Sequence, residues 1–166
     1  MSSLLEEGAP DAAGPPANPS TRRGRGPNWR GGELRALIIS MDAHGVFLPT
    51  KSAQERQDAW IQVAADVNRW AEEAEDATCA NRSPLACENQ WRKVVHKKFK
   101  EGQKMSAIAT GPSEKTDEEW QPVLVSLSEQ WDGLVSSDIS RKEGKEKATK
   151  ERQRGPAAAS AAAEDL

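Results

Sequence analysis

Cysteine and histidine are scarce in this sequence. There are only two of each. Cys79 and Cys87 are too few for a disulfide framework, so a reducing compartment is the expected setting. Together with His96 they match no common zinc spacing and lack a fourth ligand, so neither a metal nor a cofactor is expected. Neither histidine sits in a nucleophile, base and orienter arrangement, and no glycine-rich phosphate loop is present, so the chain does not read as an enzyme. No apolar run approaches the roughly 18 residues of a membrane span. The opening MSSLLEEGAP has neither a basic nor an apolar region of the secretory kind, so no signal peptide is expected. Strand-like alternation and internal repeats of 20–50 residues are also missing.

Charge is plentiful: 30% of the 166 residues are charged, the mean hydropathy is −0.77, and the net charge is −3. A core can occupy only part of such a chain. A slightly acidic protein is a poor partner for nucleic acid on average, but here the signs are segregated. Residues 22–30 carry Arg22, Arg23, Arg25 and Arg30 without an acid. Residues 89–100 carry Arg92, Lys93, Lys97, Lys98 and Lys100 without an acid, and 141–154 are again mostly basic. The acids collect at Glu72, Glu73, Glu75 and Asp76 and at Asp117, Glu118 and Glu119. Segregation of this kind makes a basic face on an acidic protein.

Prolines at 10, 15, 16 and 19 among Ala, Gly and Ser make residues 1–21 an expected disordered tail. A basic arm follows at 22–28. The first helix is expected at about 31–43, where Leu34, Leu37, Ile38 and Met41 repeat at helical spacing and Gly45 supplies a stop. The second is expected from Ser52 to about 75, with Trp60, Val63, Ala64 and Val67 inward. The third begins at Ser83-Pro84, a good N-cap and first helical residue, and runs to Lys100. On a helical wheel Cys87, Trp91, Val94, Val95 and Phe99 take one side of it. Asn89, Arg92, Lys93, His96, Lys97 and Lys100 take the other, with Lys98 misplaced in the apolar sector. Residues 105–116 read as a linker. A fourth amphipathic helix over 117–137 carries Trp120, Leu124, Leu127, Trp131 and Leu134 and either caps the core or offers a seam to a second copy or a protein partner. Residues 138–166 read as a charged, Ala-rich disordered tail, with a marginal helix over 140–154 supported by Glu143/Lys147 and Glu146/Lys150 pairs.

The evenly spaced Trp29, Trp60 and Trp91 carry the most information. With their neighbours they give N-W-x3-E-L-x2-L-I, then W-x2-V-A-x2-V-N, then R-S-x7-W-R-K-V. This pattern resembles Myb/SANT-like domains. The wide Trp spacing is closer to trihelix-type members, and RGPNW, LP and VAADVN are similar to Myb-like proteins of oomycetes. The resemblance covers about residues 24–104. It departs from the usual pattern at Gly31-Gly32, where a polar N-cap is customary, and in the stretch AEEAEDATCA before the third helix.

The resemblance implies an all-α fold, a three-helix helix-turn-helix domain over 22–104 plus the fourth helix. The core would be Trp29, Leu34, Leu37, Ile38, Trp60, Val63, Val67, Trp91, Val94 and Val95. It further implies nuclear, sequence-specific binding of double-stranded DNA, with the third helix in the major groove and a role in transcriptional regulation. Asn89 and Arg92 have the side chains suited to bidentate base reading. Lys93, Lys97 and Lys100 would meet phosphates, and His96 would share the DNA-binding face. Arg22, Arg23 and Arg25 suit a narrow minor groove. The alternative is a chromatin adaptor that uses the same helices on a histone tail or a transposase partner.

Overall fold

Short polar side chains set most of the helix starts. A computed structural model describes residues 28–75 and 81–155. The tail 1–21, the arm arginines Arg22, Arg23 and Arg25, Cys79, and the Ala-rich segment from 156 onward lie outside the described residues.

Helix α1 spans Gly31–His44. The Glu33 carboxylate accepts the Arg30 backbone N–H at 2.8 Å, the half of a capping box that an acid at the third helical position supplies. The two glycines have a separate reason. A Cβ on Gly31 would collide with the Thr110 carbonyl, and one on Gly32 with the Trp70 ring. At its other end α1 stops at Gly45, whose φ of 55° is left-handed. There Val46 N–H bonds back to Met41 O at 3.3 Å in the glycine-terminated pattern that satisfies the last carbonyls.

Helix α2, Ala53–Glu73, opens with a reciprocal box: Ser52 Oγ accepts Glu55 N–H and Glu55 accepts Ser52 N–H. Helix α3 covers 84–100. Ser83 Oγ accepts Ala86 N–H, and Pro84 takes the first position. The helix is α-helical over Pro84–Gln90, widens to a π turn over Trp91–Val95, and returns to α over His96–Lys100. Helix α4 is a single turn, Met105–Ile108. Helix α5, Asp117–Arg154, starts with a Thr116/Glu119 box and three acids that complement the helix dipole. Among the described residues there are no strands, and the class is all-α as expected.

The core is one cluster fed by all five helices. Leu34, Leu37, Ile38 and Met41 meet Trp60, Val63 and Val67, then Cys87, Trp91 and Val95, and α5 closes the open side with Trp120, Leu124 and Leu127. Phe47, from the loop after α1, sits among the indoles. Its ring centroid lies 5.8 Å from Trp60, 5.7 Å from Trp91 and 5.1 Å from Trp131.

Several expectations need correction. Val94 is half-buried and Trp29 packs against the edge of the core. The stretch 105–116 is no mere linker: Met105, Ile108 and Ala109 are buried. The buried Arg35 guanidinium holds that stretch by donating to the carbonyls of Ala109, Gly111 and Pro112 at 2.6, 3.0 and 2.8 Å. The fourth helix does not stop near 137. It continues without a break to Arg154, and every residue from Val135 to Arg154 is exposed.

Candidate nucleic-acid interface

The start of α3 is fixed by a buried ion pair. Arg82 Nε and Nη2 donate to the two Glu33 oxygens at 2.9 and 3.1 Å, and both side chains are almost wholly buried. The same guanidinium stacks 4.4 Å from the centroid of the Trp29 ring and donates to Asn28 O at 3.3 Å. Asn68 exchanges two hydrogen bonds with the Arg82 backbone, at 2.9 and 2.7 Å. Asn28, Trp29, Glu33, Asn68 and Arg82, which stand far apart in sequence, are thus one polar network. Their appearance in the pattern around the tryptophans was legible, whereas their mutual contact was not. It anchors the start of α3 against α1 and α2 despite the stretch inserted between them.

The network leaves one side of α3 in solvent. Arg92, Lys93 and Lys97 are exposed, and Asn89 is half-buried beside them. Arg92 donates to Asn89 Oδ1 at 3.0 Å, so the two residues suited to base reading hold one another in the free protein. Neither Lys93 nor Lys97 forms an ion pair among the described residues. This is a free cationic surface with no carboxylate from residue 89 to residue 100.

His96 and Lys100 do not share that surface. The π turn explains the displacement of His96. Its backbone N–H reaches Trp91 O, a bond five residues back, so five residues advance the helix by about the rotation that four would give. His96 therefore lands above Trp91 and not beside Arg92. Its ring centroid is 5.6 Å from Trp91 and 6.3 Å from Trp131 of α5, and its side chain is only 14% exposed. Its Nε2 stands 3.2 Å from Asp132. Lys100 donates to the same carboxylate at 2.6 Å. That hydrogen bond, with the charges of Lys100 and His96, holds the Asp132 carboxyl below its ordinary value. Phe99, brought to the seventh α-helical place after Trp91, packs against the core. No sequence signal marks the extra residue in the turn, which is why a regular wheel set His96 on the outer face.

One further cluster was missed at the sequence level. Ser40 Oγ donates to Asp66 Oδ2 at 2.9 Å, and His44 Nε2 lies 2.7 Å from the same oxygen. Serine and histidine both end on one carboxylate, so this histidine does not activate that hydroxyl and the trio ties α1 to α2. Asp66 is held below its ordinary value, first by the His44 hydrogen bond and then by Ser40 and Arg69. Cys87 is fully buried, and burial pushes its thiol up to about 11, which leaves it neutral. A partly apolar groove runs between the starts of α2 and α3 and the middle of α5, lined by Trp60, Leu85, Trp131, Leu134 and Val135 and by the charged Arg56, Glu88 and Asp138. No helix among the described residues is long and apolar enough to cross a membrane.

No family model matches the chain, and neither the curated proteins nor the solved structures contain a match.

Proposed function

We propose that this protein binds double-stranded DNA sequence-specifically through a Myb/SANT-like three-helix unit, in the nucleus, as a regulator of transcription. The observation that carries the reading is the face of α3 formed by exposed Arg92, Lys93 and Lys97 beside half-buried Asn89, in a stretch with no acid from residue 89 to residue 100. It sits opposite the Trp91 stripe on a helix whose start is locked by the Glu33–Arg82 pair. In this reading α3 enters the major groove. Arg92 and Asn89 exchange their mutual hydrogen bond for bonds to base edges, and the lysines meet phosphates. Arg22, Arg23 and Arg25 reach the adjacent minor groove. His96 and Lys100 serve instead to seat α5.

Selection of full-length protein on randomised duplex DNA, followed by affinity across salt, tests this. An enriched sequence and a steep log–log salt dependence are expected. No enrichment, with little affinity near physiological salt, overturns it. The groove lined by Leu85, Trp131, Leu134 and Val135 is the one observation that favours a second reading, a protein-interaction adaptor. For that reading the same measurement gives weak, salt-insensitive DNA binding.

A further inference from the structure

We propose that the overhanging half of α5 is a second DNA-contacting element, a helical strut that lies along a phosphate backbone beside the groove occupied by α3. This rests on the DNA-binding reading above.

The argument starts from the face that α5 buries. At 100° per residue, Trp120, Leu124, Leu127, Trp131 and Leu134 fall in a single stripe of about 80°. Contact with the body ends near Asp138, where the groove closes. The helix then runs on for about four more turns to Arg154. Along this overhang the same stripe is continued by Lys142, Lys145 and Arg152, with Arg141 about 20° beyond its edge. The inward face of α5 therefore changes from apolar to cationic at the point where the body stops.

Lys142 has Asp138 and Glu146 four residues away, whereas the other cations on and beside the stripe differ from those nearby. Lys147 and Lys150 have acids four residues away, Glu143, Glu146 and Glu151, in positions that pair across a helical turn. Lys145 and Arg152 have no acid three or four residues to either side. Arg141 reaches only Asp138, at a loose 3.6 Å. The three acids of the overhang lie off the stripe. From Arg141 to Arg152 these cations run about 16 Å along the axis, longer than the roughly 12 Å width of a major groove. α5 is tied to α3 through Asp132, which bonds Lys100. They begin about 14 Å along the axis from that tie, within one turn of duplex, roughly 34 Å. Beyond Ile139 the overhang carries no large apolar side chain, so it lacks the face by which an amphipathic helix enters a lipid surface.

The test uses the full chain and a labelled duplex of the selected sequence, about three helical turns long. The variant Arg141→Gln/Lys145→Gln/Arg152→Gln removes the cations on and beside the stripe that have no acid four residues away. Lys147→Gln/Lys150→Gln/Arg154→Gln removes the same charge from the rest of the overhang. Glutamine is a good helix former, and circular dichroism checks that helix content is kept. The stripe variant is expected to bind at least about tenfold more weakly at low salt, with a salt slope lower by about two to three units. The comparison variant should lose less than about one unit. Arg141→Lys/Arg152→Lys keeps the charge and should keep the slope. Equal losses in the two charge-matched variants, or no loss in either, overturn the strut while leaving DNA binding by α3 standing. If the unaltered protein does not bind DNA, both proposals fall. Tighter binding to phosphatidylserine vesicles than to duplex would also overturn the strut.

Discussion

Glu33 and Arg82 show how much one pair can decide. Both are almost wholly buried and satisfied by each other, with Trp29 stacked on the guanidinium. Removing one partner strands the other charge in the interior. Glu33→Gln or Arg82→Met should therefore cost about 3–5 kcal/mol in chemical denaturation, a large share of the roughly 5–15 kcal/mol that holds a small domain together. Denaturation midpoints equal to the unaltered protein's would refute this. Arg92 makes a different prediction. It is exposed, so Arg92→Ala should leave stability nearly untouched while it costs about 1–3 kcal/mol on the preferred DNA site and flattens the preference there. Lys97→Ala should weaken all sequences alike, with the salt slope lower by about one unit. Retained affinity and preference in folded Arg92→Ala would remove the basis for calling α3 the reading helix. At this scale the sequence was half legible. Spacing marked Leu37, Val63 and Trp91 as core, because burial follows periodicity. It could not mark Arg35 or Asp66, whose partners are three backbone carbonyls and a histidine brought near only by the fold.

Helix α3 carries one residue more in its middle than a regular helix would hold. The consequence can be tested by subtraction. Deleting Lys93 should let the π turn close to ordinary α geometry with Trp91, His96 and Phe99 still in register. The variant should fold, and its melting temperature should stay within a few degrees, because both flanking stretches keep their contacts. Inserting an alanine there instead should turn His96 and Phe99 out of their places and lower the melt clearly. If deletion unfolds the protein and insertion does not, the register argument is wrong. Helix α5 gives the second test at this scale. Trp120, Leu124 and Leu127 are buried in the same core as α1 to α3, so Trp120→Ala should cost about 3–5 kcal/mol through the cavity it leaves. A stability unchanged by that substitution would mean that α5 is not part of the domain. Caps and apolar spacing made the starts of α2, α3 and α5 readable. The length of α5 was not readable, because nothing apolar repeats past Ile139 and solvated charge is consistent with either a helix or a coil.

Among the described residues, carboxylates tie separate segments together: Glu33 with Arg82, Asp66 with His44, Asp117 with Ser106, and Asp132 with Lys100 and His96. Asp66, Asp117 and Asp132 have carboxyls held below their ordinary value in the folded chain. Their contribution is therefore complete above the unfolded value near pH 4 and is lost as pH falls through the lower folded values. Melting curves should drop in that acid range, and Asp66→Asn/Asp132→Asn should flatten the drop. A variant that keeps the full acid dependence would place the effect elsewhere. The aromatic centre has an optical consequence. Trp60, Trp91 and Trp120 sit in a dry interior, so the emission of the native protein should be blue-shifted and should move to the red only when the core opens. The His96 ring touches two indoles, Trp91 and Trp131, at the seam between α3 and α5. A ring at that distance sets how bright an indole is without uncovering it, so His96→Leu should change the brightness while the colour stays that of a closed core. Colour and brightness would then report separately, one on the state of the core and the other on the seam, with no label attached.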